Sequence, residues 1–182
     1  DRDLPEAEAS IFAYPDKLLA AMKTQAPDVL MVTNYMWNLG ISSHFIKIAR
    51  RLNPRMLIIM GGPNIPIEDE RKIEFVKRFP KVDIYVTGEG DFLATELVKS
   101  FIAHGHAVEK MLGEDYHSCL YKKDGGSHIV TPIKPRTRAL DDIPSPWLTG
   151  VLDDFFNGQL SPLYETNRGC PFTCTFCVQG TK

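Results

Sequence analysis

The chain has 182 residues, 43% of them hydrophobic, and a formal net charge of -2. This composition fits a globular protein with one fair-sized core and excludes a basic nucleic-acid binder. The longest apolar runs, such as residues 56–60, fall far short of the roughly 20 residues a membrane helix needs, and no secretory or transit segment is visible, so a cytoplasmic setting is expected.

Apolar strand-like runs alternate with helical stripes along the first hundred residues. Residues 10–14 form the first run, followed by a stripe of Leu18, Leu19 and Met22 that Pro27 stops. Residues 29–35 form the second run. Phe45, Ile48, Ala49 and Leu52 then fall at i, i+3, i+4 and i+7, on one helix face that ends at Asn53-Pro54. Residues 56–60 come next, then Phe75, Val76 and Phe79 before Pro80. Residues 82–87 make the fourth run, and Leu93, Leu97 and Phe101 a last stripe before Gly105, with Asp91 as the expected N-cap. The runs are rich in Val, Ile, Leu, Met and Tyr without polar alternation, which suits strands buried on both faces of a parallel sheet. The alternation predicts an open α/β fold with helices on both faces.

In such sheets ligands sit beyond the carboxyl ends of the strands. Three loops occupy that position: Asn34-Tyr35-Met36-Trp37-Asn38, Gly61-Gly62-Pro63-Asn64 and Gly88-Glu89-Gly90-Asp91. Glycine there lets backbone N–H groups approach a bulky ligand.

Farther on, residues 116–121 and 127–132 flank Lys122-Lys123-Asp124-Gly125-Gly126 and read as a β-hairpin. Pro132, Pro135, Pro144 and Pro146 then mark an extended linker, whose Asp141-Asp142 pair reads as a solvated turn. The pairs Arg50-Arg51 and Lys122-Lys123 are assigned to solvent, His104 and His106 to a helix end where a cation is favourable, and Cys119 to a strand without a role.

Near the C-terminal end, Cys170, Cys174 and Cys177 stand in C-x3-C-x2-C spacing. Three thiolates can hold three irons of a [4Fe-4S] cluster and leave the fourth open to a substrate, whereas electron-carrying loops usually close every iron with four. A structural zinc site would need a histidine to complete it, and none lies between Gly150 and Lys182.

The cysteine spacing, with Phe176 just before the third cysteine, resembles the signature of the radical S-adenosylmethionine (SAM) enzymes. The preceding run Glu165-Thr166-Asn167-Arg168-Gly169-Cys170-Pro171-Phe172 is similar to the opening of the cluster loop in members that also carry a cobalamin-binding domain. The three upstream loops resemble that cobalamin domain, in the same order. The resemblance implies a flavodoxin-like (Rossmann-like) parallel sheet over residues 1–106, a hairpin and inter-domain linker over 107–160, and the start of a radical SAM (β/α) barrel over 161–182. It further implies that Cys170, Cys174 and Cys177 ligate the cluster and that Phe176 packs near the adenine of SAM. Asn34, Tyr35, Trp37, Asn38, Gly61, Gly62, Pro63, Gly88, Glu89 and Gly90 would line a cobalamin cleft.

The Asp-x-His-x-x-Gly cobalt-ligand signature does not occur; Asp115-Tyr116-His117 comes closest, with Leu120 in the glycine's place. By the family's strand order, residues 10–14 align with its second strand, so a central first strand is expected upstream of Asp1 and a barrel beyond Lys182. The activity implied is reductive cleavage of SAM, with methyl transfer to a small-molecule or metabolite substrate as the favoured outcome over cyclisation or another rearrangement, and an electron donor such as flavodoxin or ferredoxin. Two alternatives stay open: a non-catalytic cobalamin-binding module, and a radical SAM enzyme that uses no cobalamin.

Overall fold

The computed structural model describes residues 4–66, 68–123, 126–161, 163–165, 168–172 and 174–177. They fall into two compact units, Asp1–Lys134 and Pro135–Lys182.

The first unit is built on a five-stranded sheet in the order β1 (Val29–Thr33), β2 (Leu57–Gly61), β3 (Ile84–Val86), β4 (Cys119–Lys122), β5 (His128–Val130). The first three strands are parallel and the last two antiparallel, so the expected all-parallel sheet is a mixed one. The hairpin expected in the linker docks against β3, Val86 opposite Cys119 and Ile84 opposite Tyr121, and completes the sheet. The physical reason lies in its side chains: Cys119, Leu120 and Tyr121 are all at most 1% exposed, so both faces of β4 need cover that a free hairpin could not give.

Successive strand residues point to opposite faces. Leu30, Ile58, Met60, Tyr85 and Leu120 face Met22 of α1 (Pro15–Thr24), Phe45, Ile46 and Ala49 of α2 (Leu39–Leu52), and Phe75 and Val76 of α3 (Asp69–Arg78). Leu57, Ile59, Ile84, Val86, Cys119 and Tyr121 face Leu93, Leu97 and Phe101 of α4 (Asp91–Ala103) and Met111 of α5 (Val108–Met111). Helices thus cover both faces as expected. β2 is the anchor, since Leu57, Ile58, Ile59 and Met60 are 0–3% exposed and each such side chain contributes about 1.5–3 kcal/mol on burial.

Residues 10–14 form no strand; Ile11, Phe12 and Tyr14 are exposed instead. A strand needs a neighbour to take its backbone hydrogen bonds, and among the described residues no strand pairs with them. β1 pairs only with β2 among the described residues, and its Met31 is 48% exposed on the α4 face. Asp91 begins α4 rather than capping it; Gly90 holds the N-cap position, without a side-chain cap bond.

Arg50 departs from the solvated role expected of it. From the face of α2 it donates to the carbonyls of Lys81, Pro54 and Met56 and pairs with Asp83, whose Oδ2 also accepts the Ile58 N–H. One guanidinium thereby ties α2 to the amino ends of β2 and β3. Burial raises the Asp83 pKa above the ordinary carboxylate value, and the adjacent Arg50 partly offsets that rise.

In the second unit two short 3-10 turns, Leu140–Asp142 and Asp153–Phe155, are the regular elements among the described residues. Trp147 makes edge-on contacts with Phe156 and Tyr164, and Arg168 Nε donates to Glu165 across 2.9 Å. The described part of the segment expected to open a barrel contains no helix or strand.

Candidate functional site

The three loops meet at the carboxyl edge of the parallel strands, because register leaves them no other place. Thr33 lies beside Gly61, so Asn34 and Gly62 follow side by side. The Asn34 N–H donates to Gly61 O (2.7 Å), and Asn64 donates from its backbone N–H to Asn34 O and from Nδ2 to Asn34 Oδ1, both 3.2 Å. Gly62 has φ +119°, and a Cβ on it would stand 2.9 Å from the backbone N and O of Asn34. Only glycine allows this approach. Pro63 follows it, exposed.

Asn38 closes the first loop by accepting the Tyr35 N–H at Oδ1 (2.8 Å) and donating from Nδ2 to Thr33 Oγ1 (2.6 Å). The Ser42 hydroxyl of α2 donates to Thr33 O (2.8 Å), which fixes the helix start against the strand end. The rings of Tyr35 and Trp37 stack at 4.7 Å and 16°, and Trp37 remains 78% and Met36 83% exposed. An aromatic plate this open, held by a rigid turn, is suited to lie against an apolar or flat ligand.

Across the edge, Gly61 and Gly90 both approach Val86, at 3.6 and 3.7 Å from their would-be Cβ positions. Gly88 packs on the start of β4, where a Cβ would come 3.0 Å from Ser118 Cβ and 3.2 Å from Ile133 Cγ2. Glu89 lies between the two glycines, half-buried.

Two buried polar atoms of this edge, Asn34 Nδ2 and Thr87 Oγ1, have no hydrogen-bond partner among the described residues. Such an atom costs about 1–3 kcal/mol when left unpaired. Orphaned donors beside glycines that bare the backbone fit a large ligand rich in amide and phosphate groups. Cobalamin is such a ligand; of the residues expected to line its cleft, Asn34 and Gly62 stand in contact and Gly61 and Gly90 both approach Val86.

A depression of about 400 Å³ lies at the opposite, amino ends of the strands, between Arg50, Pro54, Lys81, Asp83 and His106. Arg50 and Asp83 are spent on each other there, and His106 stacks on Phe101. No residue expected to line the cofactor site lines it.

In the second unit, Cys170 and Cys174 are exposed and Cys177 half-exposed, and the Cys177 N–H donates to Cys174 O (3.2 Å) in a tight turn. Phe176 is 90% exposed. No group of three His, Cys, Asp or Glu residues is gathered to hold a metal among the described residues. Three unpaired thiols on one short loop still make a donor set that suits an iron–sulfur cluster, and metal binding itself gathers such ligands. Cys119 is of a different kind: fully buried beside Thr131, its thiol is pushed up to about 11 by desolvation, which leaves it a packing residue.

Sequence reading missed His117, Ser118, Glu96 and Thr87. β4 runs antiparallel to β3, so the Thr87 N–H donates to Ser118 O (2.8 Å) and His117 comes level with Gly88. The unalternating run 119–121 was the available signal that β4 is an interior strand.

No family model matches the chain. The chain is 30% identical over 192 aligned positions to the cobalamin-dependent radical SAM methyltransferase TokK of Streptomyces tokunonensis, an alignment that covers 100% of this chain and 27% of that protein. The chain belongs to the cobalamin-dependent radical SAM family.

Other relatives widen the picture within the family. A 2-(S-pantetheinyl)-carbapenam-3-carboxylate methyltransferase of Streptantibioticus cattleyicolor is 32% identical over 163 positions, 85% of this chain and 22% of that protein. An anaerobic magnesium-protoporphyrin IX monomethyl ester cyclase of Cereibacter sphaeroides is 27% identical over 170 positions, 90% of this chain and 26% of that protein. The chain therefore spans about a quarter of the length of these curated relatives. No helix among the described residues is long and apolar enough to cross a membrane.

Proposed function

We propose that the chain is the cofactor-binding part of a cobalamin-dependent radical SAM methyltransferase acting on a small molecule. The observation that carries the reading is the convergence of Asn34, Gly62 and Gly88 on one sheet edge, with two orphaned buried polar atoms among them. The similarity to two methyltransferases over 85–100% of the chain supports it.

Cys170, Cys174 and Cys177 would hold the [4Fe-4S] cluster as thiolates, with Phe176 against the adenine of SAM. The cleft of Asn34, Tyr35, Trp37, Asn38, Gly61, Gly62, Pro63, Gly88, Glu89 and Gly90 would hold cobalamin. When bound, the cluster supplies the electron that cleaves SAM and cobalamin carries the methyl group. The protein's own part is to present three thiolates without a fourth, to offer Asn34 Nδ2 and Thr87 Oγ1 to polar groups of the cofactor, and to cover its flat face with Trp37. The unpaired edge of β1 is proposed to receive one further parallel strand from the longer polypeptide. A run of Val29, Leu30, Met31, Val32 and Thr33 carries none of the charges or prolines that protect a free edge. The electron donor is proposed to be a flavodoxin or ferredoxin.

Cyclisation is the second reading, favoured by the likeness to the magnesium-protoporphyrin cyclases. The full-length protein, reconstituted without oxygen with iron, sulfide and cobalamin, tests the cluster and cobalamin assignments that both readings share. Broad cluster absorbance, a cobalamin spectrum and reductive SAM cleavage are expected, and alanine at Cys170, Cys174 and Cys177 together should abolish the first and third. Retention of either by the triple variant removes the cluster assignment. Equal SAM turnover with and without cobalamin, and no cobalt spectrum, removes the cobalamin.

A further inference from the structure

The start of β4 contains a backbone conformation that local sequence does not favour. Ser118 has φ +53° and is 2% exposed, a left-handed geometry that costs a non-glycine residue on the order of 1–2 kcal/mol. It is held there from four sides. Its N–H donates to Pro132 O (2.9 Å), its carbonyl accepts the Thr87 N–H (2.8 Å), its Oγ accepts the Lys134 N–H (2.9 Å), and the same Oγ lies 3.2 Å from His117 Nδ1. The other imidazole nitrogen, His117 Nε2, lies 3.3 Å from Glu96 Oε2 on α4.

One assignment of hydrogens satisfies every atom in this series. Lys134 N–H donates to Ser118 Oγ, the Ser118 hydroxyl donates to His117 Nδ1, and His117 Nε2–H donates to the Glu96 carboxylate. The imidazole is then neutral, with its tautomer set from both ends. The series joins the far end of the hairpin to α4 and passes directly under Gly88, whose would-be Cβ lies 3.1 Å from Ser118 Oγ. α4 is the helix that the Gly88-Glu89-Gly90 loop opens into.

We propose that His117 is a positioning residue for the cofactor: the Glu96–His117–Ser118 series braces the Gly88-Glu89-Gly90 turn in the shape that receives it. This rests on the cobalamin reading above. Backbone strain at Ser118 is sustained where surrounding contacts over-determine it, and the contact it secures is the close approach of Ser118 to Gly88. Outer partners of this kind set ligand affinity without touching the reaction.

The test uses the full-length protein and two readouts. Without cofactor, amide exchange at Gly88, Glu89 and Gly90 should speed up about tenfold in His117→Ala, and His117→Gln, which keeps a donor toward Glu96, should restore much of the protection. With hydroxocobalamin, His117→Ala should weaken binding, followed by the cobalt absorbance, about tenfold, with recovery in His117→Gln. Unchanged exchange at those three amides in His117→Ala overturns the brace, and so does a glutamine variant no better than the alanine one. Faster exchange with unchanged cobalamin affinity overturns the positioning role. A wild-type protein that binds no cobalamin would instead refute the cofactor reading, while the exchange measurement still decides on the brace.

Discussion

Replacing Gly62 by alanine strikes the cleft at its narrowest point. At φ +119° an alanine is strained by about 1–3 kcal/mol. Its Cβ would also stand 2.9 Å from the Asn34 backbone N and O and 3.2 Å from its carbonyl carbon, where an ordinary contact begins near 3.4 Å. The neighbour is backbone at the end of a buried strand, so relief requires moving Asn34 or the glycine loop. Either motion stretches the Asn64 N–H to Asn34 O bond, already 3.2 Å, or the Asn34 N–H to Gly61 O bond at 2.7 Å, and one such bond is worth about 0.5–1.5 kcal/mol net. The sum is a loss of about 2–4 kcal/mol, a fall of roughly 6–12 °C in melting midpoint for a unit of this size. Thermal and urea unfolding would measure it. Two neighbours serve as internal controls. Gly61→Ala meets only Val86 Cβ at 3.6 Å and should stay within about 1 kcal/mol of wild type. Gly40→Ala, in the first turn of α2 with nothing within 4 Å, should gain about 0.5–1 kcal/mol from helix propensity. If Gly62→Ala unfolds within about 0.5 kcal/mol of wild type, the packing of the glycine loop on Asn34 is wrong, and with it the shape of the cleft.

Arg50→Ala removes the partner of a largely buried carboxylate and should cost about 3 kcal/mol in urea unfolding, more than a companion variant in which Arg50→Met and Asp83→Leu are combined; equal costs would refute the Arg50–Asp83 tie. Asp83 binds a proton more readily folded than unfolded, so its contribution to stability is greatest below the ordinary carboxylate pKa of 3.8 and is lost as pH rises through the raised folded value. Asp83→Asn should therefore flatten the pH dependence of unfolding just above 3.8, and a profile that keeps its slope would refute that sign. In the metal-free native protein, iodoacetamide should modify Cys170, Cys174 and Cys177 but spare Cys119, whose thiol is buried and pushed up to about 11; mass mapping that finds Cys119 modified at a similar rate would contradict the packing role. Asn34→Leu removes an orphaned donor along with a long side-chain bond to Asn64, so unfolding without cofactor should shift by no more than about 1 kcal/mol while cobalamin affinity falls. A large loss of stability with unchanged affinity would make Asn34 a structural residue only.

Much of the fold was legible because strands buried on both faces have no polar positions to hide them. β1, β2 and β3 lie inside the runs 29–35, 56–60 and 82–87 or within a residue of them, and α2, α3 and α4 carry the stripes read for them except Phe79, which stands just past the end of α3. The run 29–35 was longer on paper than in space, since Asn34 and Tyr35 already turn toward Asn38. Residues 10–14 have strand composition and no strand, because composition supplies side chains but not a neighbour. The hairpin was legible as a hairpin while its docking was not. Antiparallel addition of β4 to β3 is a long-range choice, and only the unbroken burial of Cys119, Leu120 and Tyr121 records it. Arg50 was misread for a similar reason, as its four acceptors come from Pro54, Met56, Lys81 and Asp83 and converge only once two strands are in place. The glycine loops of the site could be read because a backbone-lined site needs glycine at fixed strand ends. His117 could not, since its place beside Gly88 depends on the same strand pairing that the sequence left open.

The two ends of the sheet treat polar groups in opposite ways, and this contrast is the physical basis for placing the site. At the amino ends, Arg50 and Asp83 are partly buried and paired with each other, donor to acceptor, and removing either partner should only lose stability. At the carboxyl ends, Asn34 Nδ2 and Thr87 Oγ1 are buried without partners among the described residues, while glycine stands at position 62, where the backbone of Asn34 approaches, and at position 88, where Ser118 does. A fold selected for stability alone would satisfy or discard such atoms, since each costs about 1–3 kcal/mol. Their cost is recovered when a ligand supplies the missing acceptors, and binding then stabilises the folded state by about 2.7 kcal/mol at a hundredfold excess over Kd. Substitutions at the amino end should therefore move stability with and without cofactor alike. Those at the carboxyl end should move the difference between the two, which makes that difference the quantity that separates a binding site from a packing defect.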